Sequence, residues 1–89
     1  MSVQVLYFAG AHDITHIKSE EIAIPPSQSA WTLEALINQL VQKYGDELAK
    51  LFEQCMFAVN MEAIDKENTR HVILKPGDEI GIIPPVSGG

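Results

Sequence analysis

The chain has 89 residues, enough for one hydrophobic core and too few for a second. Hydrophobic residues make up 46% and charged residues 20%, a globular balance that excludes disordered and fibrous classes. Six Lys and Arg against twelve Asp and Glu leave a net charge of −6, which argues against nucleic acid and membrane surfaces and for a basic protein partner.

A single cysteine, Cys55, allows no internal disulfide and fits a reducing compartment. The first residues lack a basic region followed by an apolar run, so no signal peptide is read. No apolar run approaches the ~20 residues that span a bilayer. The expected location is the cytosol.

Val3 to Ala9 is β-branched and aromatic and predicts a first strand, stopped by Gly10. Ala11 to Ile17 reads as a loop with room for one helical turn. Ser19 to Ile24 predicts a second strand, hairpin-paired to the first and ended by Pro25-Pro26. Leu33, Leu36, Ile37, Leu40, Val41 and Tyr44 then form one stripe of an amphipathic helix. Thr32 is its expected N-cap and Gly45 its expected left-handed C-terminal residue. Leu48, Leu51 and Phe52 suggest a short second helix.

Met56 to Val59 predicts a third strand, turned by Asn60-Met61 into a short partner around Glu62–Ile64. Asp65 to Arg70 reads as a polar loop, and His71 to Leu74 as a brief extended segment. Lys75-Pro76-Gly77-Asp78 has the adjacent Pro and Gly of a type II turn. Ile80 to Ile83 is the last strand. The order indicates an α+β fold, a mixed sheet carrying one main helix on one face, over residues 1–83. Residues 84–89 are a tail.

A helix on one face should leave the other face polar. With Val3, Val5, Tyr7, Ile80 and Ile82 inward, Leu6, Phe8 and Ile83 point outward as surplus apolar residues. Such a patch on an acidic domain predicts a docking surface. Pro84-Pro85 stop sheet pairing and stiffen the chain, so the tail can reach ~20 Å beyond the sheet at ~3.3 Å per residue. Gly88 and Gly89 carry no side chain, a width that suits threading into a narrow channel. The delivered group is the Gly89 carboxylate, which is inert until an oxygen becomes a leaving group. Adenylation by ATP would supply one, and no phosphate-binding glycine motif here could do that work. The activating enzyme must be another protein.

The remaining reactive residues read as structural. Cys55 is a buried hydrophobe by its neighbours. His12 and His16, with only Asp13 nearby, do not make a metal set. His71 and the pairs Glu20-Glu21, Asp46-Glu47 and Asp78-Glu79 read as solvated surface, and Trp31 packs the start of the helix.

Val5-Leu6-Tyr7-Phe8-Ala9, Thr32-Leu33-Glu34-Ala35-Leu36, Phe57-Ala58-Val59-Asn60 and Lys75-Pro76-Gly77-Asp78-Glu79-Ile80 precede an ending Pro84-Pro85-Val86-Ser87-Gly88-Gly89. In this order and over nearly the whole chain they resemble the small subunit family of molybdopterin synthase, ubiquitin-like sulfur carriers. The resemblance implies a β-grasp fold. It implies that an E1-like adenylyltransferase activates Gly89 with ATP and converts it to a thiocarboxylate. The tail, Pro84 to Gly88, would then enter the large synthase subunit, where sulfur passes to cyclic pyranopterin monophosphate. Two charged carriers serve each dithiolene. The implied assembly is a heterotetramer with a large-subunit dimer at its centre. Phe8 and Ile83 match apolar docking positions of the family, the second often aromatic there. No cofactor is expected on this chain itself, which is a carrier rather than an enzyme that turns over alone. Other readings are a sulfur carrier for thiazole or tRNA thiolation, a protein modifier joined through Gly89, or a passive adaptor.

Overall fold

A computed structural model describes residues 1–25 and 30–84. Val3, Val5 and Tyr7 alternate with Ser2, Gln4 and Leu6, and that period of two buries one face of β1 (Ser2–Tyr7). Helix α1 (Gly10–Thr15) follows, then β2 (Ser19–Ala23), α2 (Leu33–Tyr44) and α3 (Asp46–Phe52). Strands β3 (Met56–Val59) and β4 (Glu62–Ile64), a 3₁₀ helix (Lys66–His71) and β5 (Glu79–Ile83) complete the described chain. The five strands form one sheet in the order β2-β1-β5-β3-β4. β1 and β5 run parallel, with Val5 beside Ile80, and the other pairings are antiparallel. This is the β-grasp arrangement that the resemblance implies.

The apolar stripe of α2 supplies Leu33, Leu36 and Leu40, all fully buried, against Val3, Val5, Tyr7, Phe57, Ile80 and Ile82 from the sheet. Each such leucine contributes roughly 1.5–3 kcal/mol relative to exposure. Thr32 caps the helix as its sequence predicts, its Oγ1 accepting from the Ala35 N–H at 3.1 Å. Trp31 is buried at that end, and its carbonyl accepts from the Leu74 N–H at 2.8 Å. The segment expected to be extended over His71 to Leu74 is so from Val72, His71 ending the 3₁₀ helix, and it pairs with the lead-in to α2 through an isolated bridge, Thr32 to Ile73. The turn at Lys75–Asp78 closes with Asp78 N–H to the Lys75 carbonyl at 3.0 Å and Gly77 at φ +89°.

Several expectations need correction. The Ala11–Ile17 loop is mostly α1, whose buried Thr15 hydroxyl donates to the Ala11 carbonyl at 3.1 Å. The Asp65–Arg70 loop is largely the 3₁₀ helix. Both are only six residues long, too short to show an apolar stripe. The described chain thus has three helices and a 3₁₀ helix, where the residues predict one main helix, a short second piece and room for one turn within Ala11–Ile17. Gly45 has positive φ (89°), but its ψ of −164° is extended rather than left-handed helical. The reason is that Gly45 also starts α3, and a helix start needs extended backbone. Pro25 follows β2 as expected; Pro26 lies outside the described residues.

Glu20 is not solvated surface. Its carboxylate accepts from Lys43 Nζ at 3.0 Å and from the Tyr44 hydroxyl, tying edge strand β2 to the end of α2. Tyr7 stacks edge-on against Tyr44 with ring centroids 6.1 Å apart. The Tyr7 hydroxyl is buried and near both groups, yet no partner among the described residues meets hydrogen-bond geometry. Burial, then the Glu20 charge, pushes the Tyr7 phenol far above its ordinary range, and burial raises Tyr44 as well. Both phenols lose protons more readily once unfolded, so their contribution is complete below about pH 10 and declines above it. Tyr7→Phe should hold or raise stability in urea at pH 7, by up to about 1 kcal/mol, and flatten the alkaline decline. A loss larger than that would show that the hydroxyl is bonded in solution.

Candidate functional site

The helices cover one face of the sheet and leave the other open. Register sets Ser19, Leu6, Gly81, Ala58 and Ala63 side by side in one row across all five strands. Three consecutive residues of that row, Gly81, Ala58 and Ala63 on β5, β3 and edge strand β4, are small. A Cβ at Gly81 would lie 3.6 Å from Phe8 Cε2 and 3.9 Å from Ala58 Cβ, so the row is a trough that a larger residue would fill. Leu6, Phe8, Ala58, Met61, Glu79, Gly81 and Ile83 line a depression there of about 390 Å³. Two further depressions adjoin Phe8, one with Leu6, His12 and Lys18, the other with Ala9, Ile83 and Pro84.

The expected strand parity holds. Val3, Val5, Tyr7, Ile80 and Ile82 are buried, whereas Phe8 is 46% and Ile83 38% exposed. Leu6 is half-buried in the trough. Because β1 and β5 are parallel, both end at the same edge, and the Phe8 N–H still donates to the Ile82 carbonyl at 3.3 Å. Pro84 is buried at that point, beside Phe8 and Ile83. The structure therefore brings Leu6, Phe8, Ile83 and Pro84 together where the chain leaves the sheet. Pro85, Val86, Ser87, Gly88 and Gly89 lie outside the described residues.

The face is more apolar than three residues. Ala58, Met61 and Gly81 join the patch, and Met56 is exposed in register with Ile83. Alternation marks Ala58 and Met56 as partners of the outward set, but Met61 stands in a turn where alternation gives no direction. Charge around the patch is divided: Lys18 lies at the Phe8 end and Glu79 at the Met61 end.

Other reactive residues stand elsewhere. Cys55 is buried, and burial pushes its thiol up, with Lys66 acting weakly against that. His16 ends α1 in a left-handed conformation (φ 65°) and His71 is exposed. Among the described residues no three His, Cys, Asp or Glu side chains are gathered for a metal. No described helix is long and apolar enough to cross a membrane. Asp78, expected on solvated surface, instead clamps two turns, accepting from the Lys75 N–H at 2.8 Å and from Asn60 Nδ2 at 2.9 Å.

The profile of the ThiS family matches residues 5–89. The chain belongs to the ThiS family. The human protein named molybdopterin synthase sulfur carrier subunit is 38% identical over 87 residues, covering 98% of this chain and 93% of that one. A Helicobacter pylori structure titled as a complex of subunits 1 and 2 of molybdopterin-converting factor is 30% identical, with TM-score 0.65 and full coverage of both chains. A Pyrococcus furiosus structure, titled putative molybdopterin converting factor subunit 1, is 25% identical with TM-score 0.74 over 97% and 99% of the two chains.

In this ThiS-family chain the direction of Phe8 depends on a strained turn. The Ala11 N–H donates to the Phe8 carbonyl at 3.0 Å across a four-residue turn, and Ala9 has φ 47° and ψ −121°. That is the first central position of a type II′ turn, which glycine fills without strain. The turn ends β1 abruptly at Phe8 and starts α1. Ala9→Gly should stabilise the domain by about 1 kcal/mol in urea unfolding, strain relief exceeding the entropy that glycine adds to the unfolded chain. A destabilisation of that size would show that Ala9 is relaxed.

Proposed function

We propose that this chain is the sulfur carrier subunit of a molybdopterin synthase, with the sulfur borne on the Gly89 carboxyl group. The observation that carries this reading is the parallel pairing of β1 and β5, which sets an apolar docking patch beside the start of a Gly-Gly tail. Relatives of that name at up to 38% identity over nearly the whole chain support it. Residues 1–83 serve as a handle and residues 84–89 as the arm. The Gly89 carboxylate attacks the α-phosphorus of ATP on a separate E1-like enzyme, and pyrophosphate leaves. A sulfur donor then displaces AMP and leaves a thiocarboxylate. The large subunit binds the patch of Leu6, Phe8 and Ile83 and takes in Pro84 to Gly89. Sulfur passes to cyclic pyranopterin monophosphate, and the carboxylate returns after water supplies the oxygen. The chain itself holds no cofactor and works in the cytosol.

Incubation with activating enzyme, ATP and a sulfur donor is expected to replace one oxygen of Gly89 by sulfur, read by intact mass. Large subunit and pterin precursor should then regenerate the carboxylate and form molybdopterin. Phe8→Asp should keep its fold by circular dichroism and weaken large-subunit binding at least about tenfold. An unchanged mass contradicts the carrier reading, and attachment to lysines of other proteins would make the chain a modifier. Unfolding of Phe8→Asp would contradict the exposed placement of that ring.

A further inference from the structure

Met61 is 94% exposed, and it stands where its backbone is strained. Val59 pairs with Glu62, so Asn60 and Met61 are the two central residues of a hairpin turn. Both have positive φ, 51° and 71°, as a type I′ turn requires. Asparagine suits the first position, and glycine is the residue that fits the second without strain. A methionine there is unfavourable twice, in backbone conformation and in apolar surface left in water. The domain's own packing gives no return for it.

The turn around Met61 is held from outside. Asn60 Nδ2 donates to Asp78 Oδ1 at 2.9 Å, and Asn60 Oδ1 accepts from the Glu79 N–H at 3.0 Å. The Asn60 N–H donates to the Glu79 carbonyl at 2.8 Å. These contacts fix the hairpin against the start of β5, so that Met61 borders the same trough as Leu6, Phe8 and Gly81. Phe8 and Ile83 stand at one end of it and Met61 at the other. Glu79 lies beside Met61 in the lining.

We propose that Met61 is a second anchor of the docking surface, inserted into an apolar pocket of the large subunit flanked by a cation that meets Glu79. The assignment rests on the carrier reading above, and it is carried by continuity of Met61 with the Phe8 patch and by the charge of Glu79. The thioether is flexible and polarisable, so it fills a partner pocket without demanding one shape. The strain is offset only when the partner covers the side chain.

The test compares large-subunit binding, by calorimetry on the full chain, with thermal unfolding of the carrier alone. Met61→Gly and Met61→Asn both suit a left-handed turn. Each should raise the unfolding midpoint, by about 4 °C for glycine, and weaken binding about tenfold or more. Met61→Leu should stay within about threefold of the unaltered chain. Opposite signs in stability and affinity are what a merely structural residue does not give. Unchanged affinity in the glycine and asparagine variants, with the unaltered chain binding normally, overturns the anchor alone. Failure of the unaltered chain to bind any large subunit overturns the carrier reading, and the anchor with it.

Discussion

Helices over one side of a five-stranded sheet leave half of every strand's side chains without a protein layer against them. How that uncovered half is filled sets the character of the surface beside the chain's exit from the sheet. A domain with a free face ordinarily makes it polar. Here the row through Leu6, Gly81, Ala58 and Ala63 is small and apolar, and Phe8, Ile83 and Met61 rise at its ends. The covered side supplies the stability. Leu33, Leu36, Leu40, Val5 and Ile82 are fully buried there, so the open side is released from that task.

The parallel contact of β1 and β5 converts this two-sidedness into a device. The first and last strands end at one edge, so the ring of Phe8 and the exit of the tail are neighbours. An antiparallel pairing would send them to opposite edges. The patch is held in shape by polar contacts away from it. Glu20 fastens β2 to Lys43 and Tyr44, and Asp78 with Asn60 fastens the β3–β4 turn to the start of β5. Four described non-glycine residues have positive φ: Ala9 and Met61 stand at the two ends of the patch, Asn60 precedes Met61, and His16 ends α1.

Much of this was legible in the residues. Alternation in Val3 to Phe8 and Ile80 to Ile83 assigned the faces, because a period of two survives in a strand whatever its neighbours do. The α2 stripe and the Pro76-Gly77 turn are local signals of the same kind. What stayed hidden depends on distance. Glu20 meets Tyr44 across 24 positions of sequence, and nothing near Glu20 announces it. Helix α1 and the 3₁₀ helix are too short to show a stripe and form because neighbours pack on them. The residues mark Asn60-Met61 as a turn, but that Met61 borders the trough appears only once the register of β3, β4 and β5 is known.

The central claim is that the sheet face around Phe8, and not the helical face, receives the large subunit. Backbone amide shifts of the labelled chain, followed as unlabelled large subunit is added, test it directly. The account expects the largest changes at Leu6, Phe8, Ala58, Met61, Gly81 and Ile83, with the exposed α2 residues Glu34, Asn38 and Gln42 unmoved. Changes concentrated on α2 and α3, with the trough silent, would contradict it.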